Sequence, residues 1–466
     1  MTARSPTRTG KLLFALISRL HLYIGLFIGP FILIAALSGI AYLLSPPLEE
    51  WFYHDTLYGI TQGEPQPLAE QIAAGQRYLG APTLPSAVRP APALGDTTRL
   101  MFSEPGLGPS EHRAVFVDPI SLAVTGDTTV YGTSGILPLR TMIDHFHRQL
   151  LMGDMGRLYS ELAASWLWVA ALGGVILWVW QRRKLKARSM PHTARRRHAT
   201  LGWVLSLGLL FFSATGLTWS QWAGSNIAEL RHAWGWSTPS ASTALIDTDT
   251  QPHDEHSEHR GHMAMVSTAI TLDDFDRALR AARQAGISAA RLQLTPPSGP
   301  QQAWRVAEID RQWPTQVDQV ALDPHSMAVT DQTDFNTFPL AAKLTRWGID
   351  LHMGVLFGIV NQVMLATIAA GLVTLIVWGY LMAWRRLRAL SGQRFPTVAE
   401  PWLMLPTTAK LSILFVAIAL GVALPVLGVS LAVFIVIDAL RWYVKQRYSA
   451  HRLTQLNEVK DAKSPR

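Results

Sequence analysis

Four histidines occupy matched positions in the two halves of this 466-residue chain. His198 follows His21 by 177 residues, and His352 follows His147 by 205 residues. Each lies at or near the start of a long apolar run, and a polar side chain near lipid is costly unless it has a partner. Two imidazoles on neighbouring helices can both bind the iron of one haem.

The matched set therefore predicts two b-type haems. His21 and His198 would hold one on the cytoplasmic side of the membrane, and His147 and His352 would hold one on the periplasmic side. Each histidine is followed by glycine four or six residues later, which would let a flat macrocycle or another helix approach the backbone. The alternative is that these histidines are interfacial polar residues or parts of a proton relay.

The chain has no cysteine, so it can form neither a disulfide nor a thiolate-bound zinc or iron–sulfur centre. Any metal or redox cofactor must be held by His, Met or carboxylate side chains, without covalent haem attachment at a CxxCH motif. The net charge is +8, but the basic residues adjoin the apolar runs, as is typical of membrane topology signals. We therefore expect a lipid bilayer, and no nucleic acid, as a partner.

Several apolar runs are long enough to span a bilayer, which takes about 20 helical residues. They predict a polytopic α-helical membrane protein with six helices and both termini in the cytoplasm. The predicted order is the cytoplasmic N-terminus with helix one (1–44), a polar module (45–140), helix two (141–181), a cytoplasmic loop (182–197), helix three (198–222), a second polar module (223–345), helix four (346–386), and a cytoplasmic loop, helical hairpin and cytoplasmic tail (387–466).

Both polar modules are predicted to be small α+β units facing the periplasm, because a helix-like stretch precedes short alternating runs in each. The segment "VFVDPISLAVT" from Val115 matches "VALDPHSMAVT" from Val320 at the same offset of 205. These matches predict a duplicated four-helix core. The difference between the two offsets indicates an insertion in the second module, around residues 237 to 264.

Helix two is predicted to be continuous from His147 to Trp180. It would then be about 50 Å long at about 1.5 Å per residue, whereas the hydrocarbon core is about 30 Å thick. The same count applies to helix four from His352. Both histidines are therefore predicted near or above the periplasmic surface.

The insertion contains the tract "HDEHSEHRGHMAM", in which histidine recurs every three residues. Imidazoles at this spacing can converge on a zinc, copper or nickel ion, and the two methionines would suit Cu(I). The alternative is a solvated loop that binds metal only opportunistically. The candidate metal ligands are His253, His256, His259 and His262.

The chain resembles the PepSY-associated transmembrane proteins of bacterial inner membranes, which include reductases for siderophore-bound iron. The resemblance covers roughly residues 10 to 390 and rests on the motifs "RLHLYIG", "ALSGIAYLL", "HFHRQLLMGDMGR", "RRHATLGW", "ATGLTWS", "DLHMGVLFG" and "GYLMAWRR". It implies two periplasmic PepSY-like modules and membrane histidines that hold haem, at His21, His147, His198 and His352. The C-terminal hairpin and the His-rich insertion depart from the family pattern.

The residues and the resemblance together predict a transmembrane haem-dependent ferric reductase. Electrons would pass from the cytoplasmic side through both haems to a periplasmic acceptor, most simply a ferric siderophore or another metal chelate. The cytoplasmic loops are short and lack a Gly-rich nucleotide fingerprint, so we expect quinol or a separate reductase as the electron donor. The alternatives are a non-catalytic PepSY sensor or metal-handling protein, and a copper reductase that uses the His tract.

Overall fold

The structure is a computed structural model that describes residues 8–185, 193–245, 270–389 and 396–462. The chain divides into two compact units. We call the first the helical unit; it comprises Met1–Gly39, His147–Ile227 and Thr367–Arg466. The second, called the sheet unit, comprises Ile40–Phe146 and Ala228–Ala366.

The described residues contain fourteen α-helices. They are α1 (Arg8–Tyr23), α2 (Gly29–Phe52), α3 (His54–Leu57), α4 (Leu68–Leu79), α5 (Pro138–Gln149), α6 (Gly153–Leu185), α7 (Thr193–Thr218), α8 (Trp222–Ala233), α9 (Asp273–Gln284), α10 (Leu340–His352), α11 (Gly358–Ala389), α12 (Ala399–Leu403), α13 (Thr407–Ala423) and α14 (Pro425–Ala462).

Five helical segments among the described residues are long and apolar enough to cross a membrane, which confirms a membrane protein. They are Arg8–Phe52, Gly153–Arg182, Ala194–Thr218, Gly358–Arg386 and Pro425–Arg447. The predicted C-terminal hairpin is present as α13 and α14, which meet at Pro425. With 17 residues, α13 is shorter than the five spans.

The prediction that His147 and His352 begin long membrane helices is wrong. His147 lies in the last turn of α5 and His352 is the last residue of α10, and a break follows each of them. The long helices begin only at Gly153 and Gly358, both of which have positive φ angles (60° and 55°). The expected continuous 50 Å helix therefore does not form. Leu150 and Leu151 follow α5 with left-handed backbone, and Gly354 follows α10 with a φ of 75°, so each helical path ends before the long helix begins.

The first membrane helix is longer than the apolar run, residues 20 to 44, from which it was predicted. It runs from Arg8 to Phe52 and contains a π-helical segment, Ile24–Ile28, between α1 and α2. Within this segment the carbonyl of Leu26 accepts a hydrogen bond from the Tyr380 hydroxyl at 2.8 Å. A π-helical turn of this kind commonly marks a functional region of a helix.

The two α+β modules form one eight-stranded antiparallel sheet rather than separate domains. Its strand order is β4-β3-β2-β1-β5-β6-β7-β8, and Val88 of β1 pairs with Leu294 of β5 where the modules join. Each module contributes one helix and four consecutive strands. The strands are β1 (Ala87–Arg89), β2 (Thr98–Phe102), β3 (Glu111–Val117), β4 (Val124–Tyr131), β5 (Leu292–Thr295), β6 (Trp304–Glu308), β7 (Gln319–Leu322) and β8 (Val329–Thr333).

Helices α4 and α9 cover one face of this sheet. Ile72 and Phe275 project from the two helices into a core that contains Leu100 and Trp304, all at most 2% exposed. The Asp276 carboxylate of α9 accepts hydrogen bonds from the first two backbone N–H groups of α4, each at 2.9 Å. A carboxylate at a helix N-terminus satisfies orphan donors and the helix dipole, so this contact ties the two modules together.

The repeated "DP.S.AVT" motif is a turn that joins the last two strands of each module. Asp118 Oδ1 accepts from the backbone N–H of Ile120 at 2.9 Å, and the Ser121 hydroxyl donates to Oδ2. Asp323 makes the equivalent bonds in the second module, with the backbone N–H of His325 and the hydroxyl of Ser326. Aspartate side chains stabilise turns in this way, which explains why this segment is the most visible part of the sequence repeat.

Candidate cofactor site

His21 and His198 face each other within the helical unit. Their ring centroids lie 6.4 Å apart and their ring planes cross at 80°. His21 stands in the last turn of α1, directly before the π-helical segment, and His198 lies in the second turn of α7. Two imidazoles from different membrane helices are therefore brought together as the sequence predicted.

Glycines of two further helices make room for these rings. A Cβ at Gly174 of α6 would lie 3.3 Å from His21 Cε1, and a Cβ at Gly379 of α11 would lie 3.8 Å from His198 Cε1. Gly379 follows Gly174 at the repeat offset of 205, so the same ring-to-glycine contact recurs in both halves. The glycines predicted to lie beside each ring are on the same helix as the histidine, whereas the glycines that contact the rings are on a different helix.

Each ring also lies beside a backbone carbonyl at matched positions. The His21 imidazole interacts with the carbonyl of Ala170, and the His198 imidazole interacts with that of Leu375. Both Nδ1 atoms are buried, and neither makes a hydrogen bond of regular geometry. A backbone carbonyl beside an imidazole can orient the ring, as the outer partners of metal-binding histidines do.

The spacing of the rings fits two ligands on opposite sides of one metal ion. An imidazole nitrogen binds a metal at about 2 Å, so the centroids of two such rings are about 6 Å apart. No group of three or more His, Cys, Asp or Glu that could hold a metal occurs within the described part of the chain. Structural zinc needs four protein ligands, whereas haem iron, already bound by its porphyrin, needs only axial ones. Two facing histidines are a ligand set that haem iron can use.

His147 is held by the first membrane helix within the helical unit. Its Nδ1 lies 2.9 Å from the hydroxyl oxygen of Ser38, which itself donates to the carbonyl of Ile34 at 2.7 Å. Because the serine proton is used in that second bond, the Ser38 oxygen accepts the hydrogen bond from His147 Nδ1. A Cβ at Gly39 would lie 3.3 Å from His147 Cε1, the third ring-to-glycine contact of this kind.

His352 belongs to the sheet unit. Asp350, two residues before it, is fully buried and paired with two arginines. Arg311 Nε donates to Asp350 Oδ1 at 2.5 Å, and Arg346 Nε donates to Oδ2 at 3.2 Å. The sequence did not point to Arg311 as a partner of Asp350, because the two residues lie 39 positions apart in the chain.

A second charged cluster lies near the same end of α1 as His21. Glu400 accepts from Arg19 at 2.9 Å and also pairs with Lys445. Burial by itself would raise the pKa of Glu400, but the hydrogen bonds from Lys445 and Arg19 hold that pKa below its usual range. This carboxylate therefore stays charged and ties α12 to α1 and α14.

The other candidate residues lie elsewhere or outside the description. His145 makes an edge-on contact with the ring of Tyr131, with centroids 4.8 Å apart. The predicted metal ligands His253, His256, His259 and His262 fall outside the described residues, as does most of the predicted insertion.

A family model, described as the PepSY-associated TM region, matches residues 18–386. The match includes all four repeated histidines and the whole sheet. No curated protein matches the chain.

Proposed function

The chain belongs to the family of the PepSY-associated TM region, and from this premise we propose that it is a haem-dependent reductase. It would pass electrons across a bacterial inner membrane to chelated ferric iron, such as a ferric siderophore. The family alone does not specify this activity. The proposal depends on what the repeated histidines bind.

The observation that carries the proposal is the facing pair His21 and His198. Their spacing and the glycines beside both rings would suit two histidines that hold the iron of a b-type haem. A haem bound there would supply a one-electron redox centre inside the membrane. The chain's own contribution is to orient the two imidazoles through the carbonyls of Ala170 and Leu375.

The second haem is inferred from a duplicated core. Support comes from the recurring ring-to-glycine contacts and from the mirrored order of the strands in the sheet. Because His147 and His352 correspond at the offset of 205, as Gly174 and Gly379 do, we assign them the same role. The Ser38 hydroxyl, 2.9 Å from His147 Nδ1, would help to orient that ring for this role.

The orientation follows from the distribution of basic residues. The segment between α6 and α7 is rich in Lys and Arg, which favours the cytoplasmic side. The sheet unit would then face the periplasm. If α13 crosses as a sixth helix, both termini are cytoplasmic; its 17 residues span about 25 Å, a mismatch that a bilayer accommodates at modest cost.

The electrons must come from a separate donor, either quinol or another reductase. Oxidation of one quinol releases two electrons and two protons, which would reduce two ferric chelates to the ferrous state. Ferrous iron binds hard oxygen chelators less tightly than ferric iron, so reduction would favour metal release on the periplasmic side.

An absorption spectrum of the purified full-length protein tests the proposal. We expect low-spin b-type bands after dithionite reduction, and rapid loss of these bands when a ferric siderophore is added. His198→Ala should remove about half of the haem, since one of two sites loses an axial ligand. His232→Ala, at an exposed position in α8, is the matched control. Haem-replete preparations without such bands, or reduced protein indifferent to ferric chelates, would contradict the proposal.

A further inference from the structure

The residues on both sides of His352 are held by side chains from other parts of the sheet unit. Asp350 is held by Arg311 and Arg346. The carbonyl of Leu351 accepts from Asn361 Nδ2 at 2.9 Å, and Asn361 is 1% exposed. The sulfur of Met353 lies 3.1 Å from Arg311 NH2.

Arg311 is the residue that joins these contacts to the sheet. It lies three residues after β6 and makes three separate interactions, with Asp350 and Met353 on either side of His352 and with the Ser134 hydroxyl at 2.7 Å. Its guanidinium can do so because five N–H donors project in a fixed planar arrangement. A lysine carries all its N–H donors on one nitrogen, so it cannot reproduce three contacts made by separate guanidinium nitrogens.

The segment that contacts Arg311, around Ser134, is itself held by hydrogen bonds from two arginines. Ser134 lies in the short segment after β4, and its carbonyl accepts from the buried Arg89 at 3.0 Å. Arg99 donates to the next carbonyl, that of Gly135, also at 3.0 Å. The backbone adds a further link, because the Trp313 N–H donates to the Leu356 carbonyl at 2.8 Å.

The end of α10 would otherwise be free to vary. The helix terminates at His352, and Gly354 has a left-handed backbone with φ at 75°. Residues in the last turn of a helix are those whose orientation varies most easily. Metal-binding histidines are normally oriented by neighbouring polar groups, and Asp350 and Met353 flank His352 on both sides.

We propose that Arg311 is a positioning residue that fixes the orientation of the His352 imidazole by holding Asp350 and Met353 against the sheet. This rests on the proposed function, in which His352 is an axial haem ligand. Arg311 does not touch the haem in this proposal. It acts through the backbone on both sides of the ligand, and so on the electronic state of the bound iron.

Electron paramagnetic resonance of the oxidised, full-length protein tests this role, because low-spin signals depend on the orientation of the axial imidazoles. Arg311→Gln should retain both haems, shift the signal that His352→Ala abolishes, and leave unchanged the signal that His198→Ala abolishes. Arg311→Lys should produce a similar shift, since it restores the charge but not the triple contact. Arg305→Gln, on β6 of the same sheet, is the control and should shift neither signal.

A second variant separates positioning from folding. Arg311→Met with Asp350→Leu replaces the more buried of the two ion pairs by apolar groups of similar size, which often preserves stability, while the side chain of Arg346, 32% exposed, can turn to solvent. It should fold, bind both haems and shift the same signal. A signal identical to wild type in Arg311→Gln or in the double variant would overturn the inference, as would loss of all haem from both. Absence of the His352-dependent signal from wild-type protein would instead contradict the proposed function.

Discussion

The imidazoles of His21 and His198 lie 6.4 Å apart although 177 residues separate them in the chain. Each ring rests against a glycine of a different helix, Gly174 and Gly379. Four helices of the duplicated pattern therefore contribute to one small region, two through histidine and two through glycine. This arrangement makes the glycines as informative as the histidines.

Gly174→Leu is expected to reduce haem binding at this pair. A Cβ alone would lie 3.3 Å from His21 Cε1, so a leucine must displace the ring. Overpacking of this kind costs about 1–3 kcal/mol, or about 5- to 150-fold in affinity. Haem content and the His198-dependent signal measure the effect. Gly299→Leu, in the sheet unit, is the control, because nothing lies within 4 Å of the Cβ position there. Equal haem content in both variants would contradict the prediction.

Ser38→Ala is expected to weaken haem binding at His147. The variant removes the acceptor 2.9 Å from His147 Nδ1, one of the contacts that orient the ring and favour one tautomer. Loss of such an outer partner typically weakens metal binding about 10- to 100-fold. Transfer of haem to excess apomyoglobin measures the retention. Ser206→Ala, which removes only a bond to the Trp203 carbonyl within α7, should retain haem like wild type.

The sequence predicted the membrane helices, both α+β modules and the facing pair His21 and His198, because each leaves a local or repeated pattern. It did not predict the breaks before α6 and α11. The sequence pattern suggests that Gly153 and Gly358 are packing glycines. Only the backbone shows that they have positive φ angles and are the residues at which α6 and α11 begin.

Contacts between distant segments were equally hidden. The two modules join where Val88 of β1 pairs with Leu294 of β5. Nothing in the sequence of these short strands distinguishes a joined pair of modules from two separate ones. Arg311 and Asp350 are common charged residues in the sequence, and only their burial and convergence give them a role. The π-helical segment Ile24–Ile28 also carries no residue pattern of its own.

The Asp118 turn gives a prediction for pH dependence. Burial by itself would raise the pKa of Asp118, but hydrogen bonds from Ile60, Ile120 and Ser121 hold that pKa below its ordinary value. The folded state therefore favours the carboxylate, so this stabilisation is full above the unfolded pKa of about 4 and is lost as the pH falls through the lower, folded value.

Asp118→Asn should accordingly lower the free energy of unfolding by about 1–3 kcal/mol at pH 7, the usual cost of removing a charged partner of buried donors. The difference from wild type should shrink as the pH approaches 3. Thermal unfolding of the full chain in detergent, followed by circular dichroism, measures it. Asp55→Asn, at a fully exposed side chain, should match wild type at every pH. A gap for Asp118→Asn that stays constant with pH would contradict the prediction.

The direction of electron flow gives the final prediction. His21 and His198 are assigned to the cytoplasmic side, and His147 and His352 to the periplasmic side. In oriented vesicles, a bulky, membrane-impermeant ferric siderophore on the periplasmic side should reoxidise the dithionite-reduced protein. His147→Ala and His352→Ala should slow this discharge strongly, because each removes a ligand on the side where the acceptor arrives.

Substitutions at His21 or His198 should have a different effect. They should impair re-reduction from the cytoplasmic side but still permit one discharge to the chelate, since the other pair of ligands is intact. Stopped-flow absorbance on both vesicle orientations separates the two steps, and His232→Ala again serves as the control. If His198→Ala alone abolished the first discharge, or if the chelate reacted only from the cytoplasmic side, the assigned direction would be wrong.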